Sequence, residues 1–366
     1  MSVEFRTCFA GGNGIVQSLP DGRFLIEAEQ RGGKIDWFYW CVEFFNIETS
    51  SLRIVVKRPE HLSSLGPAFQ VNGGEWSWLG VTSPDQAEFE IKIETGVDTV
   101  KLASVIPYTS ANLRAWLNGY LEREDTVQEE ELCSSSEGRA VPLLRVRARG
   151  DTAPIRVLAT CRHHACEASA NWVLEGMLDY SIRQQSHGVA LDCVPFVDLD
   201  GVENGDQGKG RNPHDHNRDY GHDGIYAETK AIQQWLSDSD CYDAVIDLHS
   251  PWIRESHNEC AHIVLPEPGV LADRINRFSE LLEGKSRGDV IAFRHSDNLL
   301  FGERWNKVIP KEGSTFIGYV RQNDISELAL TMEIPYSVNH GVKLQIPDYR
   351  KLGYNVMECV FIFLKK

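Results

Sequence analysis

The chain has 366 residues, 42% hydrophobic and 25% charged, a globular composition long enough for two domains or for one large catalytic domain with an extension. Its net charge of -16 opposes long-range attraction to nucleic acid or to an anionic membrane, so neither is expected as a partner. No stretch approaches the roughly 18–20 apolar residues of a membrane helix, the first twenty residues carry no basic-then-apolar leader, and nine scattered cysteines form no C-x-x-C pair; these features predict a cytoplasmic protein with reduced, mostly buried thiols.

From Leu25 to about Ile106, stretches such as WFYWCVEFFNI, SLRIVVK and EFEIKIET are rich in aromatic and β-branched residues that alternate with polar ones. Turn residues (Gly32-Gly33, Gly73-Gly74, Pro84) separate them. This pattern predicts an antiparallel β-sandwich over residues 1–108. The period then changes: Leu113, Trp116, Leu117 and Tyr120 recur at helical spacing behind the possible caps Thr109 and Ser110. The acidic run EREDTVQEEE follows and reads as a solvated boundary, so residues 109–133 are expected to be a helical and acidic linker. Beyond it, strand-like runs (VPLLRVRA, IRVLAT, YDAVIDLH, LALTMEIP) alternate with helical ones (EASANWVLEGMLDYSI, YAETKAIQQWL, VLADRINRFSELLEG). That alternation predicts an α/β domain over residues 134–366, a mixed, mainly parallel sheet flanked by helices, with its ligand at the carboxyl ends of the strands.

After the strand IRVLAT comes CRHHACEASANW, which sets His164 near the strand's end and Glu167 three residues on, where one metal ion can meet both side chains. Twelve His and thirty Glu in this chain give about one chance His-x-x-Glu match, so the pair is weak alone. His249 strengthens it by closing the strand YDAVIDLH. Two His and one Glu leave a fourth tetrahedral position open, the pattern of catalytic zinc. Zinc activates water for attack on a carbonyl, and a carboxylate must take the proton. Glu333 ends the apolar run LALTMEIP, where a buried acid needs a purpose or a partner. The bland alternatives are a structural histidine at position 249 and a surface-facing glutamate at 333. The polar segment VPFVDLDGVENGDQGKGRNPHDHNRDY concentrates Lys209, Arg211 and Arg218, which suits an anionic substrate group or a developing oxyanion; alternatively it is a solvated loop held by local ion pairs. Its His214, Asp215 and His216 could bind a second metal, although the first site has better-placed ligands.

Taken in order, these motifs resemble the zinc metallocarboxypeptidase family that includes carboxypeptidase A, and within it the cytosolic carboxypeptidase-like branch. SSSEGRAVPLLRV resembles the opening strand of that catalytic domain. HHACE resembles the His-x-x-Glu metal motif, DHNR the Asp-x-Asn-Arg motif, DLHS the third-ligand strand and TMEIPY the catalytic-glutamate strand. RGGKIDWFYWCVEF resembles the β-sandwich that precedes the catalytic domain in the cytosolic branch. The resemblance implies one zinc ion on His164, Glu167 and His249, and Asn217 and Arg218 holding the terminal carboxylate of a peptide or protein substrate. It further implies that Asp215 orients His164 and that Glu333 acts as general base and then protonates the leaving amine. Of the two cations ahead of the Asp-x-Asn-Arg motif, Arg211 is preferred to Lys209 for the oxyanion because a guanidinium donates two parallel hydrogen bonds. Tyr319, expected within a structural strand, receives no role. The competing functions are a zinc amidohydrolase acting on an N-acyl amino acid or cell-wall peptide, and a binding module whose catalytic site has decayed.

Overall fold

A computed structural model describes the chain except residues 1–2, 81–82, 84, 122–126, 150–153, 186–187, 222–223, 240, 308–314 and 366. Pro84 and the first half of the acidic run, residues 122–126, lie outside the described residues. The amino-terminal part is a β-sandwich. One sheet contains β1 (Glu4–Arg6), β4 (Cys41–Phe45), β9 (Thr99–Ala103), β6 (Ala68–Val71) and β7 (Trp76–Trp78) in that spatial order, all antiparallel. The other orders β2 (Ile15–Ser18), β3 (Phe24–Glu27), β5 (Ser51–Val56) and β8 (Glu88–Lys92). Here the expectation needs one correction, since β3 and β5 run parallel. Alternation decides which faces meet: Leu52, Ile54 and Val56 of β5 and Phe89 and Ile91 of β8 are buried against Trp40, Val42, Phe44, Val100 and Leu102.

Among the described residues, the second part is built on seven strands in the order β10 (Gln128–Ser134), β11 (Ala140–Val146), β13 (Val189–Val194), β12 (Ile155–Cys161), β14 (Tyr242–His249), β16 (Ser326–Glu333) and β15 (His262–Val264). The central four are parallel and the marginal pairings are antiparallel, a mixed sheet as expected. Glu129, Glu130 and Glu131, read as solvated boundary, are exposed but stand on the edge strand β10. Their charge blunts an open sheet edge.

Among the described residues, seven α-helices accompany the sheets: α1 (Ser110–Leu121), α2 (Ser169–Arg183), α3 (Leu199–Asn204), α4 (Ala227–Asp238), α5 (Val270–Lys285), α6 (Phe316–Gln322) and α7 (Ile346–Leu364). Helices α2 and α7 touch through glycines. A Cβ on Gly176 would lie 1.9 Å from the Arg350 carbonyl oxygen, and one on Gly353 would lie 1.9 Å from that of Val173. Tyr319 lies on α6, so the strand expected around it is a helix. The side chain of Thr315 starts that helix by accepting from the Gly318 amide at 3.0 Å. No described helix is long and apolar enough to cross a membrane.

The sandwich packs onto the loops at the carboxyl end of the larger sheet. Lys34 N donates to Gly210 O at 2.8 Å, Asn13 Nδ2 to Gly205 O at 2.8 Å and Tyr39 N to Gln207 Oε1 at 2.9 Å. Trp37 and Phe38 close the seam against Trp252, with ring centres 4.7 and 5.4 Å away. Trp252 is three residues past His249, so the sandwich walls one side of the site described next.

Candidate active site

Three of the central strands deliver their carboxyl ends to one place. The strand β12 ends at Cys161, and the segment after it turns sharply, with Arg162 at φ +64°. The buried Arg162 guanidinium clasps this turn through the carbonyls of Ala165 (2.9 Å) and Tyr108 (3.0 Å) and the Asn171 side chain (2.8 Å). His164 and Glu167 are thereby held rigidly beside His249, the last residue of β14. In the register of β14 with β16, His249 stands opposite Glu333.

Donor atoms of His164, Glu167 and His249 lie within 4.8 Å of one another, and all three residues are buried. Glu167 bridges the imidazoles: Oε1 is 2.7 Å from His164 Nδ1 and Oε2 is 2.7 Å from His249 Nδ1. The far nitrogens face other groups. His164 Nε2 is 3.6 Å from Asp215, and His249 Nε2 is 2.9 Å from Asp247 and 3.2 Å from the Asn217 amide. Such outer carboxylates fix ring orientation and make the inner nitrogen a better ligand. A second grouping, His163, Asp247 and His249, is as close-packed. Its members are already engaged, since Asp247 accepts from the Thr160 hydroxyl at 2.7 Å and His163 contacts the Tyr220 hydroxyl at 2.7 Å. Asp247 and His163 therefore read as support beneath His249.

The electrostatics follow from this arrangement. Burial pushes the Glu167 carboxyl up, but His164, His249 and Lys209 outweigh it and hold the group well below the usual carboxylate range. Asp215 and Asp247 are likewise depressed against the pull of burial, the first chiefly by His164 and the second by His163 and His249. Burial lowers the affinity of His249 for a proton, yet Asp247 and Glu167 prevail and raise it. Glu333 behaves oppositely. Burial, aided by the nearby Glu167 charge, raises its carboxyl to about 7 against the opposing pull of His249. One of its oxygens, Oε2, is buried without a hydrogen-bond partner. An orphaned buried oxygen beside two imidazoles and a carboxylate suits a divalent cation and the water it carries, and the donor set matches zinc.

The two cations ahead of Asp215 separate. Gly208, at φ +73°, lets its loop press against the turn; a Cβ there would lie 2.1 Å from the Ala165 amide nitrogen. Lys209 is thus carried to the cluster, with Nζ 3.4 Å from His164 Nδ1, 3.7 Å from Glu167 Oε1 and 5.7 Å from the Trp37 ring. Arg211 is committed elsewhere, to Asp198 at 2.6 Å and Asp206 at 3.1 Å. The geometry therefore does not favour Arg211: two acids hold its guanidinium, and Lys209 is the one of the two that reaches the cluster.

Asp215 accepts from Gly210 N at 3.1 Å while facing His164. His214 and His216 do not join it, because His214 contacts Asp219 at 2.5 Å and His216 stacks on Tyr226 with ring centres 3.7 Å apart. Asn217 uses its amide internally, toward His249 and as acceptor from Phe316 N at 3.0 Å. Arg218 donates to the Asn217 carbonyl at 2.7 Å and, among the described residues, forms no ion pair within 4.0 Å. Of the two residues expected to hold a carboxylate, Arg218 is the one with capacity to spare. Sequence reasoning missed Arg162, His163 and Asp247. Only Asp247 had a readable signal, since it lies two residues before His249 on the same strand face.

No protein-family model matches the chain. The curated Cytosolic carboxypeptidase 6 of Caenorhabditis elegans is 25% identical over 170 residues, 42% of this chain and 37% of that protein, so the match spans little more than a third of the relative's length. Among solved structures, the metallo-carboxypeptidase of Burkholderia cenocepacia superposes with a TM-score of 0.78 at 15% identity, covering 100% of this chain and 99% of that one. The metallo-carboxypeptidase of Pseudomonas aeruginosa, in complex with (2-guanidinoethylmercapto)succinic acid, gives 0.76 at 18% identity over 99% of both chains. The chain has a metallo-carboxypeptidase fold, sandwich included. The proteins that it resembles in sequence and in fold are metallo-carboxypeptidases, with the cytosolic carboxypeptidases on the sequence side.

Proposed function

We propose that this protein is a zinc-dependent carboxypeptidase that hydrolyses the last peptide bond of a peptide or protein, with one zinc ion on His164, Glu167 and His249. The observation that carries the reading is the bridging of both imidazoles by Glu167, with Glu333 opposite His249 and an oxygen left without a partner. Bound zinc supplies Lewis acidity, which polarises the scissile carbonyl and acidifies water. Glu333 takes the proton from the attacking water and returns it to the leaving amine. Burial raises the Glu333 carboxyl above its ordinary value, toward the near-neutral range that suits both transfers. Lys209 stabilises negative charge developing on the carbonyl oxygen, and Arg218 receives the substrate's terminal carboxylate. Asp215 and Asp247 hold His164 and His249 in their ligating orientation. The likeness to Cytosolic carboxypeptidase 6 supports a cytoplasmic setting.

The test is metal content together with product analysis. The purified protein should hold stoichiometric zinc at this site, lost in His164→Ala. Mass spectrometry of a mixed peptide library should then show residues removed from carboxyl ends alone. Replacing Arg218 with Ala should lower kcat/KM for free-carboxylate peptides by roughly 10–100-fold, the value of a charged hydrogen bond, and leave amidated ones little changed. Equal losses on both substrates, or unaltered zinc in His164→Ala, would sink the reading.

A further inference from the structure

Three chain segments outside the proposed active site converge on a second set of metal-ligand side chains. Cys260 precedes β15, Asp297 ends the single helical turn His295–Asp297, and His340 sits at the tip of the short hairpin Val338–Asn339 with Val342–Lys343. A sulfur, a carboxylate oxygen and an imidazole nitrogen from these residues all lie within 4.8 Å of one another. Cys260 is buried, while His340 and Asp297 have side-chain exposures of 25% and 19%. The cluster therefore has a closed side and a solvent path.

From the geometry we infer that Cys260, Asp297 and His340 bind a second zinc ion, distinct from any ion on His164, Glu167 and His249. The ligand-bearing segments are tied together by bonds that do not use the ligand groups. His340 N donates to Glu259 O at 2.9 Å and Ala261 N to Asn339 Oδ1 at 3.1 Å, which fastens the hairpin to the Cys260 segment. Ile263 N donates to Asn298 Oδ1 at 3.1 Å and Leu299 N to Ile263 O at 3.0 Å, which fastens the Asp297 turn to β15. The donors are thus preorganised without a metal. His340 Nε2 lies 2.7 Å from Asp297 Oδ2, the same imidazole–carboxylate spacing as His164 to Glu167. An inserted ion would need only a small opening of that pair.

The chemistry of the donors selects the metal. Thiolate, imidazole and carboxylate together suit zinc and leave a fourth tetrahedral position for water. Among the described residues the Cys260 thiol donates to the His257 carbonyl, at 3.1 Å, and burial with the Asp297 charge pushes its pKa up to about 12. A divalent cation reverses that effect: the sulfur binds as thiolate and its proton leaves to solvent. Beside it, His257 and His262 have ring centres 4.4 Å apart and each carries a buried Nε2 without a partner. His262 also pairs in register with Glu333. The second ion would therefore pin the outer strand that flanks the proposed general base.

Metal analysis of the protein loaded with zinc, and separately with cobalt, tests this. Wild type should bind two zinc equivalents, and Cys260→Ser and His340→Asn one each. Cobalt-loaded wild type should show a near-ultraviolet thiolate-to-cobalt charge-transfer band, which the His164, Glu167, His249 site cannot give because it has no sulfur. The band should vanish in Cys260→Ser and persist in His164→Ala, so the fate of this site is read independently of the other. A cobalt-loaded wild type without the band overturns the inference, whatever the variants' stability, and so does Cys260→Ser retaining both equivalents.

Discussion

Glu333 and His249 stand opposite each other in the parallel register of β14 and β16, with side chains on the same face of the sheet and at its carboxyl end. A one-residue slip of either strand would turn one of them to the other face. The pairing of base and ligand is therefore a property of strand register. The same register sets the Glu333 carboxyl beside an imidazole that pulls its pKa down, and burial still raises it to about 7.

Glu333→Gln keeps the shape of the site and removes the proton acceptor. Zinc content should be unchanged, while kcat falls by roughly 10²–10⁴-fold, the usual contribution of general acid–base catalysis. In the unaltered enzyme kcat/KM should fall as pH drops through the carboxyl's pKa, since the protonated form cannot accept. That pKa is about 7 without a metal and lower beside a divalent cation. Steady-state kinetics over pH, with metal analysis of the variant, would check this; a variant of normal kcat would remove Glu333 from the reaction.

Lys209 and Arg211 should fail in different ways. Lys209→Ala should reduce kcat with little effect on folding, because Lys209 Nζ faces His164 and Glu167 from a partly exposed position. Arg211→Ala leaves Asp198 buried without its ion partner and should cost about 3–5 kcal/mol of stability. Urea denaturation and kinetics on both variants separate the roles. Reversal of the two phenotypes would restore Arg211 as the residue facing the oxyanion.

Glu175 provides a pH-dependent stability test away from the site. Its carboxyl accepts from Tyr108 at 2.9 Å and from Arg350 at 2.6 Å, yet burial raises it from 4.5 to about 7. Between these values the folded protein holds a proton that the unfolded chain has released. Its contribution is thus most favourable below pH 4.5 and is lost as pH rises toward 7, by on the order of 3 kcal/mol. Glu175→Gln has no such loss. The stability difference, variant minus wild type, should therefore grow in the variant's favour from pH 5 to pH 8, and parallel unfolding curves at the two pH values would contradict the assignment.

Gly353→Ala should destabilise by about 1–3 kcal/mol or more, since the new methyl would fall 1.9 Å from the Val173 carbonyl oxygen and force α2 and α7 apart. Gly119→Ala, on α1 with nothing within 4 Å of the added carbon, is the control and should be neutral or slightly stabilising. Thermal melts of the two variants suffice, and equal midpoints would mean that the helices separate freely.

Much of this protein was determined by sequence alone, because period and position are local quantities. Alternation marked the strands of the sandwich, apolar runs marked β12, β14 and β16, and residues at or just past the ends of such runs named His164, Glu167, His249 and Glu333 as a group. Local pattern could not tell that Tyr319 sits on a helix begun by Thr315, nor that β3 and β5 pair in parallel. Only the tertiary structure gives Lys209 and Arg211, two residues apart in one loop, different surroundings. Gly208 lets the backbone approach Ala165 and turns Lys209 inward, while Asp198 and Asp206 hold Arg211 away. It likewise decided that Asn217 uses its amide on His249 and Phe316, and that Cys260, Asp297 and His340 meet from segments up to 80 residues apart in number. Such meetings depend on packing between distant segments, and a one-dimensional pattern carries no record of them.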